Sequence, residues 1–408
     1  MPHDTYCIRF HENEGDAAVP EDEKSKGGAG GTYRLACLRC DVELEPALVY
    51  RCPNCSGALE PRYTLRGAAR RDHEAPERAY FDFLPLSSPD FLDDGITCRT
   101  PCRPAPKLGA AIGVPGLWTK DESRQPTGTT KDRLASVVLA VFRQFGVKEF
   151  VGSSTGNSST ALARAVRRDP AMRAHFFCGE DFVTNHDVPD HARTSLTVVP
   201  GTYVDASAQA RRFAAEQSLH LDAGFFNWAR REGLKLAYLE ALDQMDRTPD
   251  VVVQGISSGM GLLAAHKAMR EYLLTGALDR MPRFLMVQEE SCAPAAKAWR
   301  EGRRELTAAD RIDRPEGLAT AILLGDGAPY YPYLYDIASQ TGGAVVSASR
   351  QELIAARTML RELEGLDVCY AAAATIAAVR NEAAAGRIGE DETVLVNLTG
   401  RSRTDAPA

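Results

Sequence analysis

The chain has 408 residues, of which 44% are hydrophobic and 25% are charged, and its formal net charge is −7. This length predicts two domains with an appendage, and the composition is typical of a soluble globular protein with a sizeable core. The acidic balance disfavours a nucleic-acid-binding protein. The longest apolar stretches, such as CYAAAATIAAV at 369–379, are too short to span a bilayer, so no membrane partner is expected either.

The N-terminus and the cysteines predict the cellular compartment. The N-terminus lacks the charged segment followed by an apolar one that would suggest a signal peptide. Four of the ten cysteines are closely paired and six are scattered, which is typical of a reducing compartment rather than of a disulfide scaffold. We therefore expect a cytoplasmic protein.

In chain order, residues 1–32 carry an acidic run and end in KSKGGAGGT, which predicts a disordered tail. Residues 33–65 form a hairpin-like pattern with two CxxC pairs, a zinc-ribbon-like segment. Residues 66–100 are rich in charge and proline and resemble a connecting arm.

From about residue 101, short β-rich runs alternate with helical segments. The predicted strands are LWTK, EFVGSS, AHFFC, LTVVPG, VVVQGIS, RFLMVQE and TVLVNLTG. The predicted helices are DRLASVVLAVFRQFG, STALARAVRRD, ASAQARRFAAEQ, WARREGLKLAYLEALDQM, GLLAAHKAMREYL and SRQELIAARTMLREL. This alternation predicts an α/β fold of two open, mostly parallel sheets covered by helices. We expect a large domain of residues 66–135 and 235–405 and a smaller α/β domain of residues 136–234.

Four paired cysteines form the predicted metal site. Cys37, Cys40, Cys52 and Cys55 are two C-x2-C units that can surround one Zn²⁺ tetrahedrally. With all four positions filled by thiolates, the zinc would be structural and would hold together a segment too small for its own core. The alternative is a metal-free segment that folds as a β-hairpin.

The loop QPTGTTKDR, residues 125–133, contains the candidate catalytic residue Lys131. A lysine amine can form a Schiff base with an aldehyde, and pyridoxal 5'-phosphate (PLP) is the common aldehyde of this kind. Such a cofactor also needs a phosphate cradle, a partner for its pyridine nitrogen and a group at its phenolic oxygen. The alternative for Lys131 is an ordinary solvated loop residue.

Two strand–turn–helix segments supply candidates for anion binding. In VVVQGISSGMGLL, the small residues allow successive N–H groups to approach a phosphate at a helix N-terminus. These cofactor-binding candidates are Gly255, Ser257, Ser258, Gly259, Met260 and Gly261. In EFVGSSTGNSST, Ser153, Ser154 and Thr155 suit a substrate carboxylate, and the Asn157 amide suits the phenolic oxygen. The alternatives are a common Ser/Gly turn and a plain helix cap.

Near the C-terminus, Thr399 follows a predicted strand and precedes Gly400. Its neutral hydroxyl would hydrogen-bond the pyridine nitrogen without protonating it, which favours α-proton removal followed by loss of a β- or γ-leaving group. The alternative is an ordinary turn at the end of a strand.

Together these motifs resemble the threonine synthase/cysteate synthase group of fold-type II (tryptophan synthase β-like) PLP-dependent enzymes. Lys120 to Glu122 followed by PTGTTKDR resembles the group's KxE…NPTGxFKDR segment, in which the lysine carries PLP. The other matches are STGN at 154–157, the phosphate loop at 257–261, the terminal Thr-Gly and the double CxxC. The resemblance covers residues from about 34 to 405 and implies PLP, and we expect a homodimer.

Within this group the chain is more similar to cysteate synthase, in the stretches YFDFLP, NWARREG, VVVQGISSGMG, REGRRE, ILLGDGAPYYPYLYD and LEGLDV. Two features depart from the pattern. Thr130 replaces the usual phenylalanine, and RSRTD follows Gly400 where relatives carry small or apolar residues. Arg401 and Arg403 are either solvated charges or near an anionic substrate or nucleophile.

The resemblance implies a β-replacement on a phosphorylated hydroxy amino acid like O-phosphoserine. Lys131 would remove the α-proton, phosphate would leave to give an aminoacrylate, and a nucleophile such as sulfite would add to give cysteate. Lys120, Arg133 and Arg230 are candidates for binding the leaving phosphate; the alternative for the segment at 227–231 is a helix cap with surface charges. Two other functions stay open: threonine synthase, which converts O-phosphohomoserine to threonine and phosphate, and a non-catalytic ligand-binding protein of the same fold.

Overall fold

The computed structural model describes residues 33–189 and 191–402. The expected tail, residues 1–32, and Arg403 lie outside these ranges. Within them, none of the helices has both the length and the apolar character needed to cross a bilayer.

The strands and helices follow in chain order. The strands of the described residues are β1 Tyr33–Cys37, β2 Glu43–Leu44, β3 Leu59–Tyr63, β4 Cys102–Pro104, β5 Leu117–Asp121, β6 Glu149–Ser153, β7 Arg173–Gly179, β8 Thr194–Val199, β9 His220–Leu221, β10 Val251–Gly255, β11 Arg283–Glu289, β12 Ala344–Ala348 and β13 Val394–Leu398. The α-helices are α1 Pro76–Ala79, α2 Pro106–Ile112, α3 Lys131–Gln144, α4 Asn157–Arg168, α5 Tyr203–Glu216, α6 Trp228–Leu242, α7 Met260–Thr275, α8 Pro294–Arg300, α9 Tyr331–Thr341, α10 Arg350–Glu364 and α11 Tyr370–Ala384.

The larger sheet has the order β12-β11-β10-β13-β5-β4, and every neighbouring pair is parallel except β4–β5. Strand β10 shows why the central strands of this sheet are apolar at nearly every position. Val251 and Val253 belong to the core that contains α11, whereas Val252 belongs to the core that contains α7. Successive strand residues face opposite sides, so a sheet covered on both faces needs apolar residues at every position.

The smaller sheet has the order β8-β7-β6-β9 and is parallel throughout. Val151 and Phe177 pack with α5 on one face, and Phe150 and Phe176 lie in the main core with α3 and α4 on the other. Strands β5, β10 and β13 run parallel in the larger sheet, so the loops after them leave from the same edge. The loop after β6 leaves from the carboxyl edge of the smaller sheet, and carboxyl edges are where ligands bind in open α/β folds.

The N-terminal segment is a three-stranded antiparallel sheet of order β2-β1-β3 rather than a simple hairpin. The expected connecting arm, residues 66–100, is more firmly packed than its composition indicates. Its aromatic and leucine side chains enter the main core; those with at most 1% exposure are Tyr80, Phe81, Phe83, Leu84 and Leu86.

All seven predicted strands and all six predicted helices are present. The two large sheets fall on either side of the proposed boundaries at residues 135 and 235, and the domain division itself stays a proposal. Strands β4, β9 and β12 were not predicted. Strands β4 and β9 are only three and two residues long, and β12 directly follows two glycines, so none of them shows a clear hydrophobic alternation.

Candidate active site

The loop before Lys131 is fixed against the end of β13. The Thr130 amide donates to the Thr399 carbonyl oxygen at 2.9 Å, and Thr129 forms an isolated antiparallel bridge with Gly400. Gly128 has φ +79°, and a Cβ there would lie 2.7 Å from Nε of Arg401, so this turn requires glycine. The lysine loop and the terminal Thr-Gly therefore form one unit, with the exposed Arg401 over it.

Asp132 closes the same loop from the helix side. One carboxylate oxygen accepts hydrogen bonds from the Thr127 amide at 2.6 Å and the Thr127 hydroxyl at 3.0 Å. Burial raises the pKa of Asp132 to about 6, although these hydrogen bonds act in the opposite direction. The backbone at Lys131, the first residue of α3, is thus held on both sides by the hydrogen bonds of Thr130 and Asp132.

Lys131 itself is partly buried. Within the described ranges its Nζ makes no hydrogen bond or ion pair. Burial, followed by the positive charge of Arg230, lowers the pKa of this amine to about 8. The neutral amine, the form that attacks an aldehyde and accepts a proton, is therefore reached at a lower pH than for an ordinary lysine.

Cys369 lies near enough to Lys131 for a charge on its sulfur to affect the lysine. Its amide donates to the Gly400 carbonyl oxygen at 2.9 Å, and it precedes the first residue of α11. The residue is partly buried, and burial raises the pKa of its thiol.

The predicted phosphate loop lies between β10 and α7. Gly259 has φ +85° and caps α7, and a Cβ at Gly255 would lie 2.8 Å from the Ala371 carbonyl oxygen. Small residues are required in this loop because the backbone of α11 approaches it closely. The N-terminus of a helix behind a turn without side-chain bulk fits a phosphate group, because its N–H groups are free to donate. The roles of Ser257, Ser258, Met260 and Gly261 remain predictions.

The Ser153–Asn157 loop lies between β6 and α4. The Ser154 hydroxyl oxygen accepts from the Gly156 amide at 2.9 Å, and the Ser159 hydroxyl donates to the Gly156 carbonyl oxygen at 2.9 Å. Gly156 has φ +137°, and a Cβ there would lie 2.5 Å from the Asn185 carbonyl oxygen. The turn is therefore built by its own hydroxyls, which leaves Ser153, Thr155 and Asn157, all partly buried, as the side chains at its surface.

Arg230 lies beside the first turn of α4, and its charge acts on Lys131. Its Nε is 2.9 Å from Oδ1 of Asp222, and its Nη1 is 3.5 Å from the Ser158 hydroxyl. Asn227 donates to the same Asp222 oxygen at 2.8 Å and caps α6 by accepting from the Ala229 amide at 3.0 Å. The helix-cap alternative for Asn227 is thus observed. Arg230, only 4% exposed, is held by Asp222 rather than being a surface charge.

Lys120 and Arg133 lie in a different environment from the one predicted. Lys120 Nζ is 2.5 Å from a Glu240 oxygen, and Arg133 pairs with Glu240 at 2.7 Å and with Glu122 at 2.8 Å. The Lys120 and Arg133 side chains are 1% and 0% exposed, respectively. Burial acts to raise the pKa of Glu240, but Arg133 and Lys120 outweigh it and lower the value to about 2. This geometry favours an internal ion-pair cluster over the predicted contact with a substrate phosphate.

Sequence reasoning did not single out several buried polar residues around the site. Asp222 was missed, and so was the Asn397 amide, which donates to the Tyr238 hydroxyl at 3.0 Å just before Thr399. The sequence around these residues does not predict a functional role. A single aspartate in LDAGFF and a tyrosine on a helix both occur commonly in proteins without one.

The four cysteines converge as predicted. Sγ–Sγ distances of 3.5 Å join Cys37 to Cys55 and Cys40 to both Cys52 and Cys55, and all four sulfurs lie within 4.8 Å of one another. Four thiolates about 2.3 Å from a tetrahedral zinc lie about 3.8 Å apart, so the sulfurs fit a structural Zn²⁺. The Arg39 amide also approaches the Cys37 sulfur at 3.4 Å.

Comparison with known proteins gives consistent relatives. Threonine synthase of Methanosarcina acetivorans is 29% identical over 382 residues, which cover 91% of this chain and 92% of that one. Cysteate synthase of Methanocella paludicola is 28% identical over 398 residues, 91% of this chain and 90% of that one. Several further relatives are cysteate synthases.

Solved structures show the same fold. A PLP-dependent aspartate racemase superposes with a TM-score of 0.64 at 17% identity, covering 76% of this chain and 92% of that one. Maize serine racemase superposes with a TM-score of 0.63 at 18% identity, covering 76% and 89%. The fold is that of fold-type II PLP-dependent enzymes, with a cysteine cluster added at the N-terminus. Residues 95–400 match the family described as pyridoxal-phosphate dependent enzyme, and the chain belongs to that family.

Proposed function

We propose that this enzyme replaces the phosphate of an O-phosphoserine-like amino acid by a nucleophile such as sulfite, giving cysteate and inorganic phosphate. The observation that carries the proposal is the neighbourhood of Lys131. Its amine makes no hydrogen bond in the described chain, its pKa is lowered to about 8, and the buried Arg230 lies close enough to contribute to that shift. A base beside a fixed cation suits a substrate that loses a proton and then an anion.

Four elements around Lys131 would hold the cofactor. Lys131 would bind its aldehyde carbon, the turn at 255–261 its phosphate, Asn157 its phenolic oxygen and Thr399 its ring nitrogen. When bound, PLP supplies an electron sink for the α-carbon of an amino acid. The Thr399 hydroxyl is suited to a neutral hydrogen bond, because its oxygen makes none within the described chain.

The substrate would be held at both ends. The partly buried Ser153 and Thr155, with the backbone of Ser154, would bind its carboxylate at the N-terminus of α4. Arg230 would hold the departing phosphate, because Asp222 fixes the guanidinium while Nη1 is directed at α4. Lys131 would remove the α-proton. Lys120 and Arg133 are assigned no substrate contact, because Glu122 and Glu240 pair with them internally.

Threonine synthase is the second candidate, and one observation favours it. The M. acetivorans threonine synthase is as similar to this chain as the cysteate synthases are, at 29% identity against 26–28% for the first four of these. The two functions differ in the length of the phosphorylated side chain, phosphohomoserine being one methylene longer than phosphoserine, and in the nucleophile, water against sulfite.

The test is turnover by purified holoprotein with two substrates, O-phosphoserine with and without sulfite and O-phosphohomoserine alone. Released phosphate and the amino-acid product are measured by colorimetry and mass spectrometry. Sulfite-dependent cysteate formation is the expected result. Threonine from phosphohomoserine, with no reaction of phosphoserine, would select the second candidate. No turnover of either substrate would favour a ligand-binding protein instead.

The same assays are made with two variants. Lys131→Ala is expected to be inactive, and Lys148→Ala, at an exposed lysine, is its control.

A further inference from the structure

Three consecutive residues of the four-cysteine segment contact the structure that carries Arg230. Val49, Tyr50 and Arg51 directly precede Cys52, one of the four sulfur residues. We call residues 49–51 the strap. They lie far from α6 in the sequence, and yet each of them contacts a residue beside the Asp222–Arg230 ion pair.

The centre of the strap contacts the strand that leads to Asp222. The Tyr50 hydroxyl and Nε2 of His220 are joined by a 2.6 Å hydrogen bond, and their rings meet edge to face at 5.5 Å. His220 and Asp222 are two residues apart at the end of β9, so an extended backbone directs both side chains to one face. The Asp222 amide in turn donates to the Val151 carbonyl oxygen of β6 at 2.8 Å, which ties this corner to the strand before Ser153–Asn157.

The two ends of the strap contact the start of α6. Trp228 Nε1 donates to the Val49 carbonyl oxygen at 2.9 Å, and the Arg51 guanidinium lies 3.5 Å from the centre of the Phe226 ring. Phe226 and Trp228 flank Asn227, the residue that caps α6 and donates to Asp222. The strap therefore contacts both sequence neighbours of Asn227 as well as β9, the strand that leads to Asp222.

We propose that the strap positions the Asp222–Arg230 pair, so that an intact four-cysteine site is required for tight binding of the substrate's phosphate group. The inference rests on the proposed function through the assignment of Arg230 to phosphate. Tyr50 and His220 are positioning residues in this scheme, because they touch neither Lys131 nor the anion. A metal held by Cys52 fixes the end of the strap, and the strap fixes the guanidinium geometry.

A purely structural role for the segment would have a different consequence. It would lower the stability of the whole protein and affect all binding alike, whereas positioning of Arg230 affects anion affinity selectively. The chain offers a matched control: the Tyr63 hydroxyl, on the same segment, also donates a 2.6 Å hydrogen bond, but to Glu232 of α6. Glu232 follows Arg230 by two residues, about 200° around the helix, so this contact lies on a different side of α6 from Arg230.

The experiment measures the affinity of inorganic phosphate for the holoprotein by calorimetry, in wild type, Tyr50→Phe, Tyr63→Phe and Arg230→Gln. Phosphate affinity is expected to fall about fivefold in Tyr50→Phe, the effect of one lost neutral hydrogen bond. Tyr63→Phe should bind phosphate like wild type, and Arg230→Gln should bind at least tenfold more weakly. Cofactor absorbance, metal content and the thermal midpoint are recorded for each variant.

Three outcomes would overturn the inference. They are equal phosphate affinity in Tyr50→Phe and wild type, an equal loss in Tyr50→Phe and Tyr63→Phe, or phosphate binding that does not depend on Arg230. The proposed function fails separately: if phosphate binding depends on Tyr50 and Arg230 but neither phosphorylated amino acid is turned over, the positioning role stands and the reaction is wrong.

A second measurement tests the metal end of the same connection. Removing the metal from folded holoprotein with a chelator should weaken phosphate binding several-fold. By linkage, saturating phosphate should slow metal release, followed with a chromogenic zinc indicator. In Tyr50→Phe the two effects should shrink. Metal removal that leaves phosphate affinity unchanged would show that the strap keeps its position without the metal and would contradict the coupling.

Discussion

The amide of Thr130 donates a 2.9 Å hydrogen bond to the carbonyl oxygen of Thr399. This contact joins the residue before the candidate cofactor lysine to the residue proposed to face the cofactor's ring nitrogen. The adjacent bridge between Thr129 and Gly400 strengthens the connection. Two segments that are far apart in the sequence are thereby held in a fixed relation, as a cofactor bound by both the amine and the hydroxyl would require.

The first prediction concerns the amine. Lys131→Ala should abolish the near-ultraviolet or visible absorbance of lysine-bound cofactor and reduce turnover by at least about 1000-fold, because no other described lysine lies in the site. Spectra and initial rates of the purified variant check this. Lys148→Ala, at an exposed position, should retain both. A Lys131→Ala protein with the spectrum of wild type would show that the cofactor lysine lies elsewhere.

The second prediction follows from the pKa of about 8 for Lys131. A lowered pKa leaves the amine neutral above that value, so reductive methylation of Lys131 in cofactor-free protein should rise through pH 8 and level off above it. Peptide mass spectrometry follows the methylation of Lys131 at each pH.

Arg230 provides the control for that pH profile. Its positive charge contributes to the lowered pKa of Lys131, so Arg230→Gln should move the methylation profile of Lys131 to higher pH. A wild-type profile that does not rise through pH 8, or one that is the same in Arg230→Gln, would contradict the assignment.

The third prediction concerns Thr399. Within the described chain its hydroxyl makes no hydrogen bond, so Thr399→Val should leave the thermal midpoint of the cofactor-free protein unchanged within about 2 °C. It should weaken cofactor binding about fivefold or more, the effect of losing one hydrogen bond to a ligand. Thr399→Ser should behave like wild type. Equal cofactor affinity in the valine variant would remove Thr399 from the ring-nitrogen site.

Local motifs explain which placements the sequence predicts. Lys131 and the turn at 255–261 belong to short contiguous patterns that follow strands of one parallel sheet, and such a sheet brings the ends of its strands together at one edge. The four cysteines belong to a contiguous pattern in the antiparallel N-terminal sheet. The placement of these residues could therefore be inferred without knowing which strands are neighbours.

Charged residues were harder to place, because their role depends on partners distant in the sequence. Lys120 and Arg133 lie beside motif residues and resembled phosphate ligands, but Glu240, on a later helix, pairs with both in the core. Asp222 and Tyr50 had no local signal at all. A carboxylate that fixes an arginine and a tyrosine that reaches a histidine are properties of packing between segments, which a one-dimensional pattern does not contain.

The fourth prediction tests this reassignment of Lys120 and Arg133. Glu240→Gln leaves two buried cations short of a countercharge and should destabilise the protein by about 3–5 kcal/mol, seen as a lower urea midpoint. Asp336→Asn, which breaks the exposed pair with Arg304, should cost less than about 1 kcal/mol. At temperatures where Glu240→Gln is folded, KM for the phosphorylated substrate should be unchanged. A raised KM with an unchanged midpoint would return these cations to the substrate site.

The fifth prediction concerns the metal. Purified protein should contain about one zinc ion per chain, and Cys40→Ser should lose it, because four thiolates are needed to close the tetrahedron. Cys98→Ser, at a partly buried cysteine outside the cluster, should keep the full zinc content. Metal analysis of each variant is combined with limited proteolysis, which should cleave between residues 37 and 57 in Cys40→Ser first, since the zinc would hold the two CxxC turns together. A zinc-free wild-type protein that resists cleavage there would show that the segment is held by its packing on the rest of the protein alone.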